Sequence, residues 1–167
     1  MSMSFGSGRQ KTSLPQLRVV FIAMIFGEIS FAVVVLFVGG MVEMSDDRLL
    51  RWLLPAVLGF LAVGMIGAYP LVRALLVKSA KARYEQAGDS EAAMGSVLQS
   101  FATATLIRSA MAESLGLAGL VFLLVTGMKV FWFAPAVSLV LLAAGMPSQG
   151  KSDDFVQEVT GSNPYSR

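Results

Sequence analysis

Residues 17–42 read LRVVFIAMIFGEISFAVVVLFVGGMV, and the only charged side chains among them are Arg18 and Glu28. A helix needs about 20 predominantly apolar residues to cross the hydrocarbon core of a bilayer. The stretch lacks the apolar/polar alternation of a membrane barrel strand. In lipid its backbone groups must be satisfied within the segment, so it reads as a helix. The run is too long for a secretory signal, and no Ala-x-Ala-like cleavage pattern precedes Glu43 or the Asp46–Asp47 pair.

Three further stretches of the same kind follow, at about 49–77, 107–127 and 130–146. The 167 residues are 55% hydrophobic and 14% charged, against about 25% charged in ordinary soluble domains. A water-soluble fold of this length has too little interior to hide that much apolar surface. The expected fold is an all-α membrane protein with four transmembrane helices arranged as two helical hairpins. Residues 1–16, rich in Ser and Gly, form a mobile N-terminal tail, and 17–146 form the transmembrane domain. Pro147 ends the fourth span. The polar tail 147–167 fits either a short helix capped by Ser152 or disorder.

Orientation follows from the basic residues. Arg9, Lys11, Arg18, Arg73, Lys78, Lys81, Arg83, Arg108, Lys151 and Arg167 fall on one side of this topology, and only Arg48, Arg51 and Lys129 on the other. The positive-inside rule puts the first group, and both termini, in the cytoplasm of a multi-pass inner-membrane protein. Trp52 and Trp132 lie at the opposite ends of their spans, where an aromatic belt belongs. The cytoplasmic segment 79–106 is helical in this reading. The second helix overshoots to about Gln86, Gly88 stops it, and Asp89 or Ser90 caps the next. Met94, Val97, Leu98 and Phe101 then recur at helical spacing, either as part of a helix leading into the third span or as a partner-docking stripe.

The chain has no His and no Cys. Disulfides, thiolate metal sites, iron–sulfur clusters and thiol nucleophiles are excluded, as are imidazole-ligated haem and a Ser-His-Asp triad. A formal net charge of +2 does not suggest nucleic acid. No nucleophile–base pair or glycine-rich phosphate loop points to an enzyme. The pairs Met41/Met44 and Met1/Met3 have no His or Cys beside them and read as gap-filling residues. No metal or other cofactor is expected. The expected partners are the lipid bilayer and, in a membrane assembly, other subunits or further copies of this chain.

Two carboxylates lie inside spans. Glu28 is nine residues past Val19, about 14 Å along a helix and close to mid-bilayer. Glu113 is five residues past Arg108, nearer the cytoplasmic face. An intramembrane ionisable group is a functional candidate by default, able to carry a proton or to bind a cation. The competing reading is a polar clasp between helices: Glu113 paired with Arg108, or Glu28 hydrogen-bonded to Ser109 or Ser114. Ala112 and Gly116 form a small-xxx-small pair, and Glu113, Gly116 and Gly119 share a face where another backbone can approach. In the second span Gly64 and Ala68 form a similar pair, and Pro55 and Pro70 are points of bending. Superposing Glu28 on Glu113 also aligns Ile22 with Ile107 and Phe37 with Phe122, which leaves a duplicated hairpin open.

The run Leu106-Ile107-Arg108-Ser109-Ala110-Met111-Ala112-Glu113, continuing through Gly116-Leu117 and Val121 to Thr126-Gly127, resembles a group of uncharacterised small bacterial four-helix membrane proteins. The third helix of that group opens with an Ile-Arg, Ala-x-x-Glu pattern and ends in Thr-Gly. Ala112-Glu113 followed by Gly119-Leu120-Val121 also looks like the ion-carrying helix of ATP synthase proteolipid rotor subunits, a likeness that implies an ion-carrying Glu113. Here, however, the preceding helix lacks their alternating glycines, and both glutamates sit on the first helix of a hairpin. The leading expectation is a structural or accessory subunit of a membrane assembly. The rival is a proton- or cation-coupled element using Glu113, with Glu28.

Overall fold

Apolar runs with no interior turn chemistry give long helices, and the described residues form little else. The computed structural model describes residues 14–39, 48–87 and 91–161. Its elements are α1 (Leu14–Val38), α2 (Arg48–Ala87), α3 (Glu91–Thr126), a 3₁₀ turn (Lys129–Trp132), α4 (Phe133–Gly145) and α5 (Gln149–Thr160). There is no strand among the described residues. The methionine pairs, Gly88 and the Asp89/Ser90 caps lie outside them.

Pro15 stands in the first turn of α1, where its missing N–H removes no helical bond. α2 runs as one helix through Pro55 and Pro70. α3 is likewise continuous from Glu91, so the segment before the third span is part of that helix. With 40 and 36 residues, α2 and α3 extend about 60 and 54 Å, well beyond the roughly 30 Å of a hydrocarbon core. Both project at the same end, where Ala80 and Val97 share one apolar cluster. At the other end α3 stops at Gly127, whose positive φ of 64° suits a residue without Cβ.

α3 is the axis of the molecule, packed against α1, α2, α4 and α5. Of the consecutive helices, α3 packs most extensively on α4 and α2, while the main neighbours of α1 are α3 and α4. Two apolar clusters mark the ends. One joins Leu17, Ala80, Val97, Phe101 and Ala102 to Phe155, Val156 and Val159. The other joins Val35, Leu120, Leu123 and Phe131.

The described part of the C-terminal segment is an amphipathic helix, Gln149–Thr160. Ser148, not Ser152, caps α5: its backbone is extended and its hydroxyl accepts from the Lys151 N–H. Ser152 lies inside the helix and is buried with Phe155, Val156 and Val159, the i, i+3, i+4, i+7 set of one face. Phe155 meets Phe101 with ring centroids 5.7 Å apart. The stripe at Met94, Val97 and Phe101 is thus covered from within the chain, while Leu98 stays exposed.

α1, α2 and α3 are each long and apolar enough to cross a membrane. α4 is shorter, but with the 3₁₀ turn before it the segment is 17 residues, Lys129–Gly145. That amounts to about 28 Å of helix. α5 bends away from it by 70°.

Candidate functional site at the α1–α3–α4 contact

Glycine at 116 and 119 lets α1 and α4 press onto α3. A Cβ at Gly119 would collide with Ala134 Cβ and lie 3.1 Å from both Phe131 O and Pro135 Cδ. A Cβ at Gly116 would overlap Glu28 Oε1 and fall 2.7 Å from Ser138 Cβ. The Glu28 carboxyl therefore rests directly on the α3 backbone, in the notch that Gly116 leaves open.

Glu28 is fully buried. Ser138, on α4, donates its hydroxyl to Glu28 Oε2 at 2.8 Å. Oε1 is also buried and has no hydrogen-bond partner among the described residues. Ser138 is the one polar residue of α4, itself fully buried. One hydrogen bond thus closes a contact among three helices from positions 110 residues apart.

The partners expected for the two glutamates are not the ones they have. Ser109 is buried but donates to Leu106 O at 2.9 Å, and the exposed Ser114 donates to Ala110 O at 2.7 Å. Both hydroxyls are consumed by their own helix, as Ser and Thr in apolar helices commonly are. Arg108 and Glu113 are five positions apart, which on a helix sends them to different faces. Arg108 instead stands over the Tyr69 ring, 5.7 Å from its centroid. Glu113 is half-buried, within electrostatic reach of Glu28, and makes no hydrogen bond or ion pair with another described residue. Gly116 is where the sequence pattern put it, at the close helix contact. Ser138 was the missed residue. Its signal was a lone hydroxyl in an otherwise apolar α4, on the face it shares with Ala134 and Leu142.

A second polar layer lies where α4 ends. Arg18 Nε donates to Pro147 O at 3.1 Å, and Lys151 Nζ donates to Ala144 O at 2.6 Å and Met146 O at 3.0 Å. Lys151 satisfies carbonyls that the C-terminus of α4 leaves open, at the negative end of its dipole, while Arg18 takes the Pro147 carbonyl in the bend between α4 and α5. Arg73 reaches across from α2 to Glu158 of α5 at 2.6 Å. Both sides of that bridge are more than two-fifths exposed, so it positions α5 more than it stabilises the fold.

Compared with known proteins, the chain matches no protein-family model, no curated protein and no solved structure. What the described residues define is an all-helical protein with several helices long and apolar enough to span a membrane, tied together near the middle by a sealed carboxyl.

Proposed function

We propose that this chain is a four-span inner-membrane protein with both termini in the cytoplasm, serving as a structural or accessory subunit of a membrane assembly. The observation that carries the reading is α2. Among the described residues its most apolar stretch has none buried, and Trp52, Phe60, Val63 and Leu71 are each more than 60% exposed. A surface of that size and polarity is covered by lipid or by another membrane protein. The span assignment draws further support from Lys129–Gly145, which together with α5, bent from it by 70°, makes a fourth segment long and apolar enough to cross. Arg18, Arg73, Arg108 and Lys151 gather at the end where α5 packs, which supports the cytoplasmic assignment. The Glu28–Ser138 contact acts in this reading as the clasp holding α1 to the rest.

Reporter fusions at the two ends, combined with native-mass measurement of the gently extracted protein, test this reading. Cytoplasmic signals at both ends and co-migration with other subunits or copies are expected. Opposite compartments for the two ends overturn the topology, and a clean monomer that needs no partner overturns the subunit role.

One observation favours a second reading, a proton- or cation-coupled element. Oε1 of Glu28 is buried with no hydrogen-bond partner, and the Glu113 carboxyl is near. Carbodiimide labelling separates the two roles. Modification of Glu28 or Glu113 that sodium or high pH suppresses supports ion carriage, and inertness at every pH leaves the clasp.

A further inference from the structure

Beside the glutamate contact, α2, α3 and α4 do not close. Between α2, α3 and α4 runs an apolar groove of about 410 Å³, lined by Ala62, Met65, Ala112, Leu115, Val137 and Leu141. It adjoins a pocket of about 370 Å³ with a mixed apolar and charged lining, and Tyr69 and Arg108 line both. The pocket's charged residues are Arg73, Arg108, Lys151 and Asp154. Arg73 is held by Glu158, and Lys151 is drawn to the carbonyls at the end of α4. Arg108 has no carboxylate partner among the described residues, only the Tyr69 ring.

A greasy slot that opens at one end onto an unpaired guanidinium has the shape and charge of one kind of molecule. We propose that this joint cavity is a binding site for an anionic membrane phospholipid, its acyl chain in the α2–α3–α4 groove and its phosphate at Arg108, with Lys151 and Tyr69 beside it. Three features argue for this occupant. Away from Tyr69 and Arg108 the groove wall is apolar and offers a headgroup nothing. The cations sit at one mouth only, where α4 ends and the polar α5 begins, the level expected for phosphate. Arg presents a planar fork of donors that matches phosphate oxygens, and basic pockets between membrane helices on the cytoplasmic side are suited to anionic headgroups. Asp154 faces the same pocket and disfavours a second negative charge, so a singly charged headgroup such as phosphatidylglycerol fits better than a multiply phosphorylated one. The proposal rests on the membrane reading above.

The test is native mass spectrometry of the full chain in detergent, titrated with phosphatidylglycerol or with phosphatidylcholine of the same acyl chains. One retained phosphatidylglycerol, preferred over phosphatidylcholine by about fivefold or more, is expected from a single well-placed cation. Arg108→Ala is expected to remove that preference. Ala62→Phe, which fills the groove from the exposed helix, is expected to lower retention of both lipids. Lys78→Ala, an exposed cation outside the pocket, is expected to change neither. Soluble glycerol phosphate at millimolar concentration is expected not to displace the lipid. Equal retention of both lipids, or a preference that survives Arg108→Ala, overturns the proposal. Displacement by glycerol phosphate also overturns it, in favour of a small-anion site. Should Arg108→Ala not fold, Lys151→Ala and Ala62→Phe carry the same comparison. A chain that is monodisperse without detergent marks failure of the membrane reading, whereas a detergent-dependent chain without lipid preference marks failure of this site alone.

Discussion

Gly116 and Gly119 on α3, and Gly59, Gly64 and Gly67 on α2, are the same residue in the same kind of apolar helix, yet they do opposite things. A Cβ at either α3 position meets another helix at once, whereas at any of the three α2 positions it meets nothing within 4 Å. The α1–α3–α4 side is close-packed around missing side chains. The α2 side is open, both outward, where its apolar stretch is uncovered, and inward, where the groove lies. A small-residue motif therefore records only that a helix can be approached, and which helix approaches is settled by what lies opposite. Opposite α3 are Ala134, Pro135 and the Glu28–Ser138 pair.

The largest effect should come from filling the closed side. Gly119→Leu drives a side chain into Ala134 and the backbone carbonyl of Phe131, neither of which is the free end of a flexible chain. Overpacking of this kind is expected to cost about 3 kcal/mol or more, read as loss of the folded fraction in a mixed-micelle unfolding titration. Gly64→Leu on the open side is expected to be neutral within about 0.5 kcal/mol, as for surface substitutions. If the two variants behaved alike, the contrast between the sides would be gone.

Next in size is the carboxyl itself. Glu28→Leu leaves the Ser138 hydroxyl buried without its acceptor and puts a branched side chain into the Gly116 notch. A loss of about 1–3 kcal/mol is expected. Glu28→Gln keeps an acceptor oxygen for Ser138 and should lose less. The double-mutant cycle of Glu28→Leu with Ser138→Ala isolates the bond, with a coupling of about 0.6–1.7 kcal/mol, the range of interhelical hydrogen bonds in membranes. A coupling of zero would mean that packing at Gly116, and not the hydrogen bond, seats α1.

Much of this arrangement is legible in the chain. The apolar runs announce the long helices, and the spacing of Gly116 and Gly119 marks the approach to α3. Glu28, deep in its run, stands out as the group in need of a partner. That partner does not follow from spacing, because Ser138 is 110 residues away and Ser109 and Ser114 are equally plausible donors until their own helix is seen to hold them. α5 was obscured for another reason. Its sequence is polar on average, and its buried positions, Phe155, Val156 and Val159, gain meaning only beside the stripe on α3. The open groove is a property of how three helices diverge, which no single helix encodes.

The smallest expected effect is at Glu113, the residue the sequence pattern favoured for a role. Its carboxyl is half-buried and bonded to no described residue, so no acceptor or donor is orphaned by its loss. Its neighbourhood to Glu28 makes the remaining interaction a repulsion whenever both are charged. Glu113→Gln removes that repulsion and keeps the shape, so stability is expected to be unchanged or to rise by at most about 0.5 kcal/mol. The gain should vanish in the Glu28→Gln background, since the charge that Glu113 faces is gone. A loss of stability at Glu113→Gln comparable to that at Glu28→Leu would mean that Glu113 also clasps a helix. The closed side would then extend one turn further along α3 than Gly116.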